Sequence, residues 1–229
     1  RGPAGEPRAD HRAPGTMRRL KQKRTYEVAL SKAGLGPVAG VDEAGRGACC
    51  GPVTIAACIL PDRIIAGLER LDDSKKLSPA ARTQLEPVIK RRALAWSVVH
   101  IDAKAIDAFG IQHANVSGMR RAVAQLEIQP RYVLTDALCV PGIPSPQLPI
   151  IGGDATARCI AAASILAKVS RDRLMDGLEE RYPGYGLGNH KGYGTAAHQD
   201  AIARLGATPE HRMSYRNVAG AHAQFLARA

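Results

Sequence analysis

The chain has 229 residues, 45% of them hydrophobic and 23% charged, enough for one substantial core and at most a small appendage. No apolar run approaches the roughly 18 residues that a membrane-crossing helix needs, so none is expected. Thirty-two Lys and Arg against 21 Asp and Glu leave a net charge of +11, a field that attracts a polyanion such as nucleic acid.

The excess is concentrated early, since residues 1–40 carry nine basic and three acidic side chains, +6 of the total. Residues 1–16, "RGPAGEPRADHRAPGT", are predicted to be disordered, because they cannot bury enough apolar surface to offset the entropy of ordering. A helix-like segment, "MRRLKQKRTYEVALSKAG", opens at Met17, and the functional protein is expected to start at or near that residue. Residues 1–36 thus read as a basic tail, disordered or helical. No apolar stretch of the secretory kind follows the basic start. The five cysteines, at 49, 50, 58, 139 and 159, form neither a C-x-x-C pair nor a zinc spacing. Their odd number and the adjacent Cys49-Cys50 suit small apolar fillers in a reducing cytoplasm.

From residue 37 the pattern becomes regular. "PVAGVDE" and "GPVTIAACIL" read as strands joined by a Gly-rich turn, and "ALAWSVVHI" (93–101) as a third. In "LSPAARTQLEPVIKRR", Ser78 supplies an N-cap and Pro79 the first helical position, while Pro87 predicts a short or kinked helix. In "IQHANVSGMRRAVAQLEI" (111–128), Ile111, Met119, Ala122, Val123 and Leu126 recur at helical spacing with Arg120, Arg121 and Gln125 outward. "RYVLTDA" and "LPIIGG" read as further strands on either side of a Pro-rich loop, and the run after Asp154 as one long helix until Pro183. Residues 184–229 are a Gly/Tyr-rich loop with one or two helices. Three early strands, then strands alternating with helices, predict an α/β fold with a mixed sheet covered by helices.

Acids fall at corresponding places: Asp42 and Glu43 at the end of the first strand, Asp136 at the end of "YVLTD", and Asp154 between a strand and a helix. Chemistry collects at strand ends in such sheets, and four carboxylates gathered there call for positive charge; a pair of hard divalent cations, Mg²⁺ or Mn²⁺, is the economical partner. Taken singly, Asp154 is an N-cap and Asp136 a turn residue. Adjacent Asp42 and Glu43 point to opposite faces of a regular strand, so Gly45 and Gly47 are expected to end the strand and let Glu43 swing toward Asp42. "GRGACCG" fails as a dinucleotide loop, because a strand rather than a helix follows it, and no Gly-Lys pair exists for a P-loop.

Six ordered motifs, "GVDEAGRG", "DDSKKLS", "VLTDAL", "GGDATARCIAAASILAKVSRD", "YPGYGLGNHKGYGT" and "HRMSY", resemble those of bacterial ribonuclease HII over roughly residues 37–218. The resemblance implies a ribonuclease H-like catalytic domain over 37–182 and a C-terminal loop and helical extension over 183–229. It also implies a metal-dependent endonuclease that cuts the RNA strand of RNA/DNA hybrids and the 5′ side of ribonucleotides embedded in duplex DNA. The product ends would be a 3′-hydroxyl and a 5′-phosphate. Carried over by motif, Asp42, Glu43, Asp136 and Asp154 would bind two divalent ions, one activating water and one stabilising the leaving oxygen. Gly45, Arg46 and Gly47 would sense the 2′-hydroxyl by close backbone approach, and Tyr193 would pack against the neighbouring sugar. Lys75 and Lys76 would face phosphate, and Lys168 and Arg171 would contact the duplex backbone.

The chain departs from the family pattern at Ala48-Cys49-Cys50, where Pro-Leu-Ala-like residues are usual, at Gly152, where Lys is usual, and at Ala137, where Gly is usual. His190, His198 and His211 are assigned to surface or loop hydrogen bonding. The C-terminal "AGAHAQFLARA" shows no sliding-clamp motif, and nothing reads as an oligomer seam, so a monomer is expected. Two alternatives stay open: a catalytically impaired nucleic-acid-binding relative, which would not need four acids, and an exonuclease or resolvase of the same superfamily.

Overall fold

The computed structural model describes residues 25–228, the side chains of Thr25 and residues 72–75 excepted. The expectations for disorder over 1–16 and for a start at Met17 lie outside the described residues. Five strands form one sheet: β1 Val38–Ala44, β2 Val53–Ile59, β3 Ala95–Ile101, β4 Tyr132–Asp136 and β5 Gln147–Ile150. Their order is β3-β2-β1-β4-β5. β1 and β3 flank β2 antiparallel, whereas β4 and β5 continue from β1 in parallel. The mixed sheet expected from the strand pattern is therefore present.

The helices are α1 Thr25–Lys32, α2 Pro79–Arg92, α3 Ala103–Phe109, α4 Ile111–Ala124, α5 Gly153–Thr156, α6 Arg158–Arg181, α7 Leu187–His190, α8 Ala196–Leu205 and α9 Arg216–Leu226, with a 3₁₀ segment at Glu69–Lys76. They cover both sheet faces. Alternation along the strands sends Val41, Ile55 and Val99 to Ile106, Met119 and Val123 of α3 and α4. It sends Ala56 and Cys58 to the opposite side, where Leu85 and Ile89 of α2 and the alanines of α6 pack. β2 is buried at all seven positions, as its unbroken apolar run requires, while β3 at the edge alternates buried and exposed.

Small residues set how close α6 lies. A Cβ on Gly40 of β1 would fall 2.2 Å from the backbone carbon of Cys159, so only glycine lets strand and helix approach this far. The start of α6 is held by α1, whose buried Glu27 accepts a hydrogen bond from the Cys159 N–H at 2.9 Å. A third cluster joins α8 and α9 to α6 through Met175, Leu178, Ile202 and Val218, and takes in Cys49 and Cys50.

Three local expectations are corrected. α2 continues through Pro87 for 14 residues, because Pro87 and Thr83 are both exposed and water can take the carbonyl that the proline leaves unbonded. The single helix expected after Asp154 is broken at Ala157, which is extended (φ −121°, ψ 126°) and separates α5 from α6. α3 was not expected; Asp102 caps it by accepting the Ala105 N–H at 2.8 Å. The Ser78 cap of α2 is present, with Oγ accepting the Ala81 N–H at 3.2 Å. Four of the five cysteines are buried, whereas Cys139 is exposed.

Candidate active site

β1 ends at Ala44, directly before Gly45 as expected, but Glu43 stays in register opposite Ile55, so the expected swing of Glu43 toward Asp42 does not occur. Asp42 and Glu43 therefore keep opposite environments. Asp42 is buried against α6, accepts its neighbour's N–H from Glu43 at 2.8 Å, and is hydrogen-bonded by Ser164. Burial, then the adjacent Glu43 charge, pushes its carboxyl up to about 7. Glu43 is also raised, by burial first and by Asp136, with Arg46 and Asn115 of α4 opposing. Its Oε2 is buried and makes no hydrogen bond.

Asp136 lies one residue beyond the pairing of Val41 with Thr135, which sets it beside Asp42 on the neighbouring strand. Its Oδ1 accepts the Gly153 N–H at 2.8 Å, tying the end of β4 to α5, where Asp154 is buried. Three backbone devices thus deliver the four acids: two by β1, one by β4, one by a single helical turn. Asp42 and Glu43, both raised by burial and by neighbouring acid charge, are an unfavourable arrangement without cations. The all-oxygen donor set, with one buried oxygen lacking a donor, fits hard divalent ions.

Beside the acids opens a cleft of about 710 Å³, lined by Glu43, Gly45, Arg46, Gly47, Lys168 and Tyr193 among others. Gly45 has φ +80°, and a Cβ there would fall 1.9 Å from Arg171 Nε. Gly47 differs: it is exposed, and a Cβ would meet only the Tyr193 ring at 3.8 Å. The fold thus uses the first glycine and leaves the second to face the cleft. Arg46 is exposed and bonds Gln112 at 2.8 Å. Lys168 Nζ donates to Ser164 Oγ at 3.2 Å, so the lysine and Asp42 share one serine.

Arg171 corrects the expectation of a contact with the duplex backbone. It is 2% exposed, and its guanidinium donates to the carbonyls of Pro52, Lys191 and Cys50 at 2.9, 2.7 and 3.1 Å. Its place is under the cleft, 5.7 Å from the Tyr193 ring centre. Lys76 is exposed at the end of the 3₁₀ segment, and the side chain of Lys75 lies outside the described residues.

Sequence reasoning missed Arg212. This fully buried arginine donates to the carbonyls of Gly45, Arg46 and Gly51 at 2.7, 3.0 and 3.1 Å, and so fixes the Gly-Arg-Gly turn from below. The available signal was its place in "HRMSY", a motif used for resemblance but not for a role. Ser164 and Asn115 were missed as well, since nothing in the spacing of a helix shows which of its polar residues faces a carboxylate.

The profile of the family described as ribonuclease HII matches residues 39–218. The chain belongs to the ribonuclease HII family. The ribonuclease HII of Corynebacterium efficiens is 67% identical over 210 residues, 92% of this chain and 91% of the relative. That of Corynebacterium diphtheriae is 65% identical over 210 residues, 92% of each chain. Among solved structures, ribonuclease H2 from Pyrococcus horikoshii OT3 superposes with a TM-score of 0.72 at 25% identity, covering 82% of this chain and 98% of that one. The chain is thus an endonuclease that hydrolyses RNA in RNA/DNA hybrids, on a ribonuclease H-like sheet flanked by helices with C-terminal helices present. Against the ribonuclease HII pattern, Ala137 takes φ 60° where glycine is usual, and Cys49 and Cys50 are buried where Pro-Leu-Ala-like residues are usual. No helix among the described residues is long and apolar enough to cross a membrane.

Proposed function

We propose that the protein removes ribonucleotides from duplex DNA, as well as RNA from hybrids and primers, by cutting on the 5′ side of a ribonucleotide to leave a 3′-hydroxyl and a 5′-phosphate. The observation that carries this reading is the set of acids at the ends of β1 and β4 and on α5, with Asp42 and Asp154 buried and Glu43 and Asp136 half-buried, beside a basic cleft. A pure binder of nucleic acid would be weakened by such a group, since it repels phosphate. The four acids would hold two divalent cations, Mg²⁺ or Mn²⁺. When bound, these supply Lewis-acid charge at the scissile phosphate and acidify the attacking water.

The chain's own residues do the rest. Asp42 is held in place by the Glu43 N–H and Ser164, and Asp136 by the Gly153 N–H, so both carboxylates are oriented before substrate arrives. Gly47, which neither packing nor φ obliges to be glycine, leaves room for the 2′-hydroxyl to approach the backbone. Tyr193, 45% exposed beside Gly47, would pack against the adjoining sugar, and Lys168 would face phosphate. Lys75 and Lys76 would extend that phosphate track. The catalytic unit is taken as 37–182 with 183–229 as its extension, and the enzyme as a cytoplasmic monomer.

The test is a DNA duplex carrying one ribonucleotide, incubated with Mg²⁺ or Mn²⁺ and compared with an all-DNA duplex, an EDTA control and Asp136→Asn. A metal-dependent cut just 5′ of the ribonucleotide is expected, with DNA intact and the variant slower by roughly a hundredfold or more while it stays folded and bound. Binding without cleavage under either metal would favour the impaired binder instead.

A further inference from the structure

Beneath the Tyr193 loop lie three histidines, and the partners of their ring nitrogens fix every proton. The Tyr193 carbonyl can only accept, so His198 Nδ1, 2.9 Å away, must carry a hydrogen. The Thr208 N–H can only donate, so His211 Nδ1, at 3.0 Å, must be bare. A neutral His211 then holds its hydrogen on Nε2, which faces His198 Nε2 at 3.0 Å. The bonds therefore run in one direction: Thr208 N–H to His211, His211 to His198, His198 to the Tyr193 carbonyl. His190 joins from the side. Its Nδ1 accepts the Gly192 N–H at 3.2 Å, its Nε2 donates to the Tyr185 carbonyl at 2.8 Å, and its ring stacks on His198 with centres 4.3 Å apart.

The cluster invites a different reading, since Cys50 Sγ and one nitrogen from each of His198 and His211 lie within 4.8 Å of one another, all buried. A metal ion bound between the two rings, at His211 Nε2, would need that nitrogen bare and Nδ1 protonated. That proton would point at the Thr208 N–H and leave two donors facing each other in the interior, so the proton pattern opposes a metal.

We propose that His198 and His211 are positioning residues for Tyr193, a one-way chain of neutral imidazoles that sets the backbone height of the residue facing the sugar. Three features support it. The chain ends on the carbonyl of Tyr193 itself, not on a neighbour. Both rings are buried, at 0% and 1% exposure, so water cannot replace the bonds. The Tyr193 ring is 45% exposed, with the Arg171 guanidinium 5.7 Å from its centre on one side, so its position depends strongly on its backbone. The inference rests on the reading of Tyr193 given above.

The test is a double-mutant cycle on cleavage at a single embedded ribonucleotide. His198→Phe keeps a ring and loses both bonds; His198→Asn keeps an N–H near the Nδ1 position. His198→Phe is expected to slow cleavage roughly tenfold to a hundredfold, to have no further effect when combined with Tyr193→Ala, and to be largely rescued by His198→Asn. Full additivity with Tyr193→Ala, or a fully active His198→Phe beside a damaged Tyr193→Ala, overturns the chain's role and leaves Tyr193's intact. An undamaged Tyr193→Ala overturns both readings. Should His198→Phe fail to fold, nitrogen NMR of the unaltered protein decides. Hydrogens on His198 Nδ1 and His211 Nε2 are expected, and the reverse tautomer at either ring rejects the proposal.

Discussion

At Asp42 a functional requirement opposes stability. Its carboxyl is held near 7 because burial and Glu43 both penalise the charge, so above that pH the metal-free protein carries a destabilising anion. Asp42→Asn removes the charge and keeps an acceptor for the Glu43 N–H. At pH 8 in EDTA the variant is expected to melt roughly 5–10 °C higher than the parent while losing activity with metal; an unchanged or lower melting temperature would show that the group is not strained. Arg171 and Arg212 make the converse point. Both are basic residues of a basic protein, yet both spend their donors on internal carbonyls and build the cleft rather than binding in it.

Among the elements, the contact between β1 and α6 governs the site, because the first carries Asp42 and Glu43 and the second carries Ser164 and Lys168. Their separation is set at Gly40, where a methyl group would strike the Cys159 backbone at 2.2 Å, and backbone cannot rotate away as a side chain can. Gly40→Ala is expected to cost about 3 kcal/mol or more and to depress activity beyond what the loss of folded protein explains, read by urea melts alongside rates corrected for folded fraction. A near-neutral result would mean that α6 can shift without disturbing the acids. The same scale explains α2, whose proline is harmless because the side of the helix it occupies faces water.

At the scale of the whole molecule, the titrations of His211 and Asp42 act on stability in opposite directions. His211, held down to about 4 by burial and by His198, lacks a proton that the unfolded chain takes up below about 6.5, so acid costs stability of order 2 kcal/mol by pH 5. Asp42, raised to about 7, takes up a proton in the folded state over the same range, and stability is regained as pH falls. Asp42→Asn, lacking the compensating gain, is therefore expected to lose more melting temperature between pH 7 and pH 5 than the metal-free parent does. Parallel curves for the two proteins would contradict the assignment of these shifts.

The sequence alone carried much of this protein. Short β-rich runs marked the strands, the Ser78-Pro79 pair marked the start of α2, and acids after strands marked the candidate site, because each signal is local and survives without knowing the fold. The tertiary structure decided what depends on partners distant in sequence. It kept β1 regular past Glu43, broke the long helix at Ala157, and turned Arg171 inward. It also brought His198 and His211, 13 residues apart, into one hydrogen-bonded chain under Tyr193. A side chain's type fixes what bonds it can make, but only the packed chain fixes which donors and acceptors stand within 3 Å of it.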